Sequence, residues 1–275
     1  MQEKLKINNF STEMQDVAAA LLLGVGGKYL DLGAASAQSN NNTYLLQKRL
    51  NWDGMCVDLR KEECDFWGDG RGETYEERGS ILHTLDCTTS NFLDALKENS
   101  MPKIIDYVSL DVDAASIPSL LNLIEKGGYI FKFLTYEHDF HYARNHELWS
   151  KNISHGKLNE AAVYENEADD SWPHSFSKES IDSRKFRAKD FLQKKGYFLL
   201  FENVSFELGG VLHPMEDWWI NPQYFPEFVM QLQSNGLHFA DCINKLATTI
   251  GSLHNLETQS LIKESCFESA NINKE

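Results

Sequence analysis

The sequence predicts an α/β fold: a three-layer sandwich around a mostly parallel, seven-stranded sheet whose final strand runs antiparallel. Three observations predict it. Short apolar runs recur between residues 28 and 134, helical stretches separate most of them, and each run closes on an acid. Strands alternating with helices build a parallel sheet covered on both faces, with right-handed crossovers. The ligand of such a sheet sits beyond the carboxyl ends of the strands.

The elements follow in order. Phe10 to Leu23 has Met14, Val17, Ala18, Leu21 and Leu22 at helical spacing, with Ser11 as cap and Gly24, Gly26 and Gly27 as stop. Lys28 to Leu32 is the first strand, Thr43 to Leu50 a helix, and Met55 to Val57 the second strand. Lys61 to Gly79 is polar and glycine-rich and reads as an exposed loop. Ile81 to Leu85 is a third strand, Asn91 to Lys97 a helix, and Tyr107 to Val112 a fourth strand. Ile117 to Ile124 is a helix stopped at Gly127-Gly128, and Tyr129 to Leu134 a fifth strand. Phe140 to Ser180 is long, polar and rich in histidine, the character of a lid or substrate loop. Ser183 to Lys195 returns to helical spacing, Tyr197 to Phe201 is a sixth strand, and Phe206 to Val211 a seventh, antiparallel one. Helices are expected near Pro226 to Leu232 and Leu237 to Leu253, and Glu257 to Glu275 reads as a frayed polar tail. The expected organisation is an N-terminal helix (1–26), a main domain (27–221, with a lid at 140–181) and a helical extension (222–275).

Composition narrows the function. A net charge of −15 argues against sequence-independent binding to nucleic acid, which needs Lys and Arg on phosphates. No apolar run approaches the roughly 20 residues that span a bilayer. The start of the chain lacks the basic, apolar pattern of a secretory signal. The 5 cysteines are odd in number and hold no CxxC pair, which reads as reduced thiols in a cytoplasmic protein.

The strand ends deliver Asp31, Asp58, Asp86, Asp111 with Asp113, and Glu137 to one edge. An acid at the tip of the second parallel strand is where nucleotide-binding folds hold a ribose. The first turn offers Gly33, then Ala34, Ala35, Ser36 and Ala37, without the G-x-G-x-x-G of a dinucleotide reader or the GK[ST] of a P-loop. A phosphate-free adenosine cofactor tolerates that turn, and S-adenosylmethionine is one. Its ammonium can meet Asp31, its ribose Asp58 and its adenine amino group Asp86. Asp86 has a second reading as a helix cap beside Thr88 and Thr89. Asp111 and Asp113, two apart on a strand, point the same way. Such a pair admits a divalent ion such as magnesium, with Glu137 or Asp139 as an added ligand. A metal is not favoured, since no strong ligand spacing is present. His138, flanked by Glu137 and Asp139, tends to stay protonated. It is either a hydrogen-bonded structural ring or a base for a substrate hydroxyl. Trp218 and Trp219 read as packing or cleft wall.

The stretch DLGAASAQSNNNTYLLQKRLNWDGMCVD resembles the first motif of class I S-adenosylmethionine-dependent methyltransferases, and more narrowly the FkbM type. The matching positions are Asp31, Gly33, Asn42, Thr43, Tyr44, Trp52, Gly54 and Asp58, with weaker likeness at 106–116, 133–139 and 216–222. The resemblance covers roughly Tyr29 to Pro222 and implies a Rossmann-like sheet and O-methylation of a small molecule or sugar. Cofactor residues on this reading are Asp31, Gly33, Ala35, Asn42, Tyr44, Asp58, Leu59, Asp86 and Cys87. The reacting edge is Asp111, Asp113, Glu137 and His138. Two positions depart from the family pattern: Ala35 or Ala37 stands where a second glycine is usual, and Ala114 where glycine follows the fourth strand. A positive φ at such an alanine would weaken cofactor binding. The rival readings are a methyltransferase-fold binding protein without activity and a nucleotide-sugar or dinucleotide enzyme on a related sheet.

Overall fold

The computed structural model describes residues 7–59, 73–138, 140 and 178–267. Most of the expected lid, and Arg60 to Gly72 of the expected loop, lie outside them. The strands are β1 (Lys28–Leu32), β2 (Asp53–Asp58), β3 (Leu82–Thr84), β4 (Ile104–Leu110), β5 (Ile130–Glu137), β6 (Phe198–Leu208), β7 (Val211–Ile220) and β8 (Ser234–Asn235). They form one sheet in the order β3-β2-β1-β4-β5-β7-β6-β8. Only β7 runs against its neighbours, pairing antiparallel with β5 and β6. The described sheet thus has 8 strands, not seven, because the two-residue β8 adds in parallel to β6.

The helices are α1 (Gln15–Leu23), α2 (Tyr44–Leu50), α3 (Tyr75–Arg78), α4 (Ser90–Glu98), α5 (Ser116–Leu121), α6 (Lys178–Lys194), α7 (Glu227–Met230), α8 (Phe239–Ala247), α9 (Ile250–Leu253) and α10 (Leu256–Cys266). One core joins α1, α2, α8 and α10 to the sheet face bearing Tyr29, Tyr107, Phe133 and Trp218. The other joins α4, α5 and α6 to the face bearing Leu30, Val108, Leu134 and Trp219. Side chains alternate along a strand, so these neighbouring residues necessarily feed opposite layers. The central strands are buried on both sides and therefore read as continuous apolar runs.

Several expectations need correction. Ser11 does not cap α1; its hydroxyl donates to Asp16 Oδ1 at 2.6 Å, and the helix starts at Gln15. β4 ends at Leu110, so Asp111 and Asp113 follow the strand, and the pleat no longer aligns them. Phe206 to Val211 is not a separate strand: Phe206 to Leu208 close β6, Gly209-Gly210 make the hairpin corner, and Val211 opens β7. Gly209 and Gly210 have φ of 62° and 79°, as a two-residue turn requires, and β7 runs on to Ile220. The polar tail carries α10, which buries Ile262 and Cys266 completely. Within the expected loop, Thr74 and Glu77 exchange side-chain and backbone hydrogen bonds in a capping box that starts α3.

Candidate active site at the carboxyl edge of the sheet

Strand order reverses between β1 and β4, which places the crevice beyond Leu32 and Leu110. The chain closes tightly there. Gly33 has φ of 80°, and a Cβ on it would stand 1.6 Å from the Asp111 carbonyl oxygen. Gly33 is therefore required by the chain's own backbone. Ala35 has φ of 45°, the strained sign for an alanine, and its N–H donates to Asp58 Oδ2 at 3.1 Å. Asp58 is half-buried at the tip of β2. At the fourth-strand motif the left-handed residue is Asp113, with φ of 48°, one position before Ala114.

Asp31 is 1% exposed. The Thr43 hydroxyl donates to its Oδ2 at 2.8 Å. Ser109 stands beside it in register on β4, but no hydrogen bond of normal geometry ends on Oδ1. Ser109 Oγ itself accepts from Asn42 Nδ2 at 2.7 Å. Burial pushes the Asp31 carboxyl up to about 6, against the pull of Thr43, Arg78 and the Ser109 hydroxyl. A buried acceptor without a donor marks a place where a ligand donor or a water belongs.

Arg78 was not anticipated. It lies at the end of α3, within the stretch expected to be an exposed loop, and is 3% exposed. Nε donates to Gln47 Oε1 at 2.6 Å. Nη1 donates to the Ala37 carbonyl and to Asn41 Oδ1, both at 2.9 Å. Nη2 donates to Tyr29 OH at 3.3 Å and to Thr43 Oγ1 at 2.9 Å. One signal in the sequence pointed to it: Thr74-x-x-Glu77 is a helix start, and Arg78 falls in its first turn.

The expected reacting edge divides. Asp111 and Glu137 are half-buried, and the Asp113 side chain is 44% exposed, 3.9 Å from Arg184. His138 is 0% exposed. Its Nδ1 accepts the Phe140 amide at 3.1 Å, and Nε2 lies 3.3 Å from Asp217 Oδ1. Burial lowers the His138 pKa despite Asp217, so the ring is neutral with its proton on Nε2. That corrects the expectation of a protonated histidine. The geometry is that of a structural ring tying the end of β5 to β7. Burial raises the Asp217 carboxyl, but His138, Lys185 and the Asn203 amide outweigh it and leave it below its ordinary value.

On the opposite sheet face lies a carboxyl pair that the sequence did not suggest. Glu13 and Glu216 are 1% and 3% exposed, and Gln15 Nε2 donates to both, at 3.2 and 3.1 Å. Burial, then Glu13, pushes the Glu216 carboxyl well above its ordinary value.

The other expected cofactor residues scatter. Tyr44 packs against Phe10, with ring centroids 4.5 Å apart. Leu59 is 61% exposed. Asp86 is exposed, and its Oδ1 accepts the Thr88 amide and hydroxyl at 2.8 and 2.7 Å. Cys87 is buried, its thiol pushed up to about 11 by burial. Cys56, Cys242 and Cys266 are also buried, unbridged thiols. Trp218 and Trp219 are fully buried in the two cores. Among the described residues no three His, Cys, Asp or Glu side chains gather to hold a metal, and no helix is long and apolar enough to cross a membrane.

No family model matches the chain, and no curated protein does. Similar solved structures include one described as a "putative O-methyltransferase" from Klebsiella pneumoniae. It shares 10% sequence identity over 79% of this chain and 83% of that one, with a TM-score of 0.43. A likeness that distant carries no information about activity.

Proposed function

We propose that the chain is an S-adenosylmethionine-dependent methyltransferase that methylates a hydroxyl of a small molecule or sugar. The observation that carries this reading is the Asp31 carboxylate. It is buried beside the strand-order reversal, with Oδ2 bonded to Thr43 and Oδ1 beside the Ser109 hydroxyl without a bond of normal geometry. The amino group of a bound ligand would be a suitable donor for such an oxygen. Asp58, on the neighbouring strand and half-buried, suits a ribose diol. The FkbM subtype rests chiefly on the motif from Asp31 to Asp58, with weaker likeness at 106–116, 133–139 and 216–222.

The cofactor would supply a sulfonium methyl already activated for in-line displacement. The protein's part is alignment of the acceptor and removal of its proton. Asp31 would hold the amino group and Asp58 the ribose. Asp111, Asp113 and Glu137, the acids that follow or end β4 and β5, would be the candidates to take the hydroxyl proton. His138 is enclosed and would act by fixing β5 against β7. Asp86 is engaged by Thr88, so no adenine contact is assigned to it.

Binding of the product cofactor tests the reading. S-adenosylhomocysteine at about a hundred times its Kd should stabilise the fold by about 2.7 kcal/mol, a melting shift of about 5 °C. Asp58→Ala should weaken binding at least about tenfold by calorimetry. No shift at saturating ligand overturns the cofactor assignment, and a shift with NAD or a nucleotide sugar instead favours the related-sheet enzyme. A second reading, a binding protein without turnover, is favoured by the positive φ of Ala35. It predicts the melting shift with no methyl transfer to any alcohol.

A further inference from the structure

We propose that Arg78 is a positioning residue for this site: through Thr43 it holds Asp31 ionised, and through the 34–43 turn it fixes the backbone around it. The proposal rests on the cofactor reading for its ligand, but the relay itself belongs to the ligand-free chain.

Every N–H of the Arg78 guanidinium has an acceptor: Gln47, Ala37, Asn41, Tyr29 and Thr43. All five acceptors are formally neutral. The cation also lies 5.6–5.9 Å from the ring centroids of Tyr29, Tyr44 and Tyr75. A buried cation without a counter-charge is costly. The titratable groups that face it are Cys56, Tyr29, Asp31 and Tyr75, and of these only Asp31 ionises near neutral pH. Thr43 Oγ1 joins the two, accepting from Arg78 Nη2 at 2.9 Å and donating to Asp31 Oδ2 at 2.8 Å. A hydroxyl has one proton to give. The nearby Asn41 Oδ1, at 3.1 Å, already takes Arg78 Nη1 and the Thr43 amide, so the shorter bond to Asp31 receives that proton.

The same fork pins the turn from both ends. Ala37 and Asn41 accept from one guanidinium nitrogen, and Asn41 Nδ2 donates back to the Ala34 and Ser36 carbonyls, each at 3.0 Å. A lysine offers no planar fork and could not serve these positions together. Around Asp31 the charged and titratable neighbours are Arg78 from α3, Asp58 and Cys56 from β2, Tyr29 from β1 and Tyr107 from β4. Arg78 is the cation among them. Its removal, or removal of the Thr43 hydroxyl, should favour the protonated carboxyl, which carries no charge for an ammonium to meet.

The experiment follows the Asp31 carboxyl by 13C NMR in the ligand-free protein, and S-adenosylhomocysteine affinity by calorimetry at pH 6 and pH 8. Thr43→Val keeps the side-chain shape, Thr43→Ser restores the hydroxyl, and Arg78→Gln removes the charge. The Asp31 midpoint should rise by about one pH unit in Thr43→Val and Arg78→Gln and return in Thr43→Ser. Affinity in Thr43→Val should fall about fivefold at pH 6 and recover by pH 8, as ionisation of a group moved from about 6 by one unit requires. A midpoint unchanged in Thr43→Val overturns the relay, whether or not Arg78→Gln folds. Failure of the wild-type chain to bind S-adenosylhomocysteine overturns the proposed function instead, and leaves the NMR titration to decide the relay.

Discussion

Gly33 and Ala35 sit two residues apart and make opposite demands. Gly33 faces the Asp111 carbonyl so closely that a methyl cannot fit, and its φ of 80° penalises any side chain besides. Gly33→Ala should cost more than about 3 kcal/mol in urea unfolding or prevent folding. A cost under about 1 kcal/mol would mean that the backbones part easily. Ala35 pays for a left-handed φ without any such contact requirement. Ala35→Gly relieves about 1–2 kcal/mol of local strain and returns part of it as unfolded-chain entropy, for a net gain of about 0.5–1 kcal/mol. The same substitution should leave the Asp58 bond to the residue 35 amide intact. The acids at this edge were legible because strand periodicity locates the tip of each strand. Arg78 was not, because a basic residue in a glycine-rich acidic stretch looks solvated until the fold brings five acceptors around it.

At the scale of elements, sequence periodicity located the first five strands and the helices between them, α3 excepted, to within a few residues. It failed where a strand buries polar residues, as β7 does with His213, Glu216 and Asp217, or where the partner is distant. β7 has no alternation to read, since Trp218 and Trp219 are both buried, one in each core. α10 looked like tail because its exposed face is polar. Yet Ile262 and Cys266 join the core under α1, and the Ile7–Phe267 bridge and the bond between His254 Nε2 and the Leu21 carbonyl, 2.9 Å, tie this end to the start of the chain. Ile262→Ala should therefore cost about 2–4 kcal/mol, the range for an aliphatic side chain lost from a packed core. A frayed tail would give no change in the urea midpoint, so the measurement separates the two descriptions. His138→Asn belongs to the same scale. It should lower stability by loosening β5 against β7, and an unchanged melting temperature would show that the buried ring does not hold that junction.

Across the whole molecule, the mostly parallel sheet and the layering were readable from the alternation of elements, whereas the buried carboxyls were not, because burial of an acid has no local signature. Three such acids, Asp16, Asp31 and Glu216, have carboxyls raised by burial, the first two to about 6 from an ordinary 3.8. A raised acid holds its proton in the folded chain more tightly than in the unfolded one. The stability it contributes is therefore complete below about pH 4 and is lost as the pH rises through about 6. Relief of the −15 net charge on acidification acts in the same direction. His138 opposes it, since its lowered pKa makes the fold resist protonation below about pH 6.5, and Asp217, lowered as well, opposes it at the acid end. Asp16→Asn isolates one acid from this sum. The residue is fully enclosed and accepts from the Phe10 and Val17 amides and the Ser11 hydroxyl. The asparagine cannot ionise, so its stability relative to wild type should improve between pH 4 and pH 7 by an amount on the order of 2–3 kcal/mol. A gap between the two proteins that stays constant over that range would mean that Asp16 ionises in the fold as it does in the open chain.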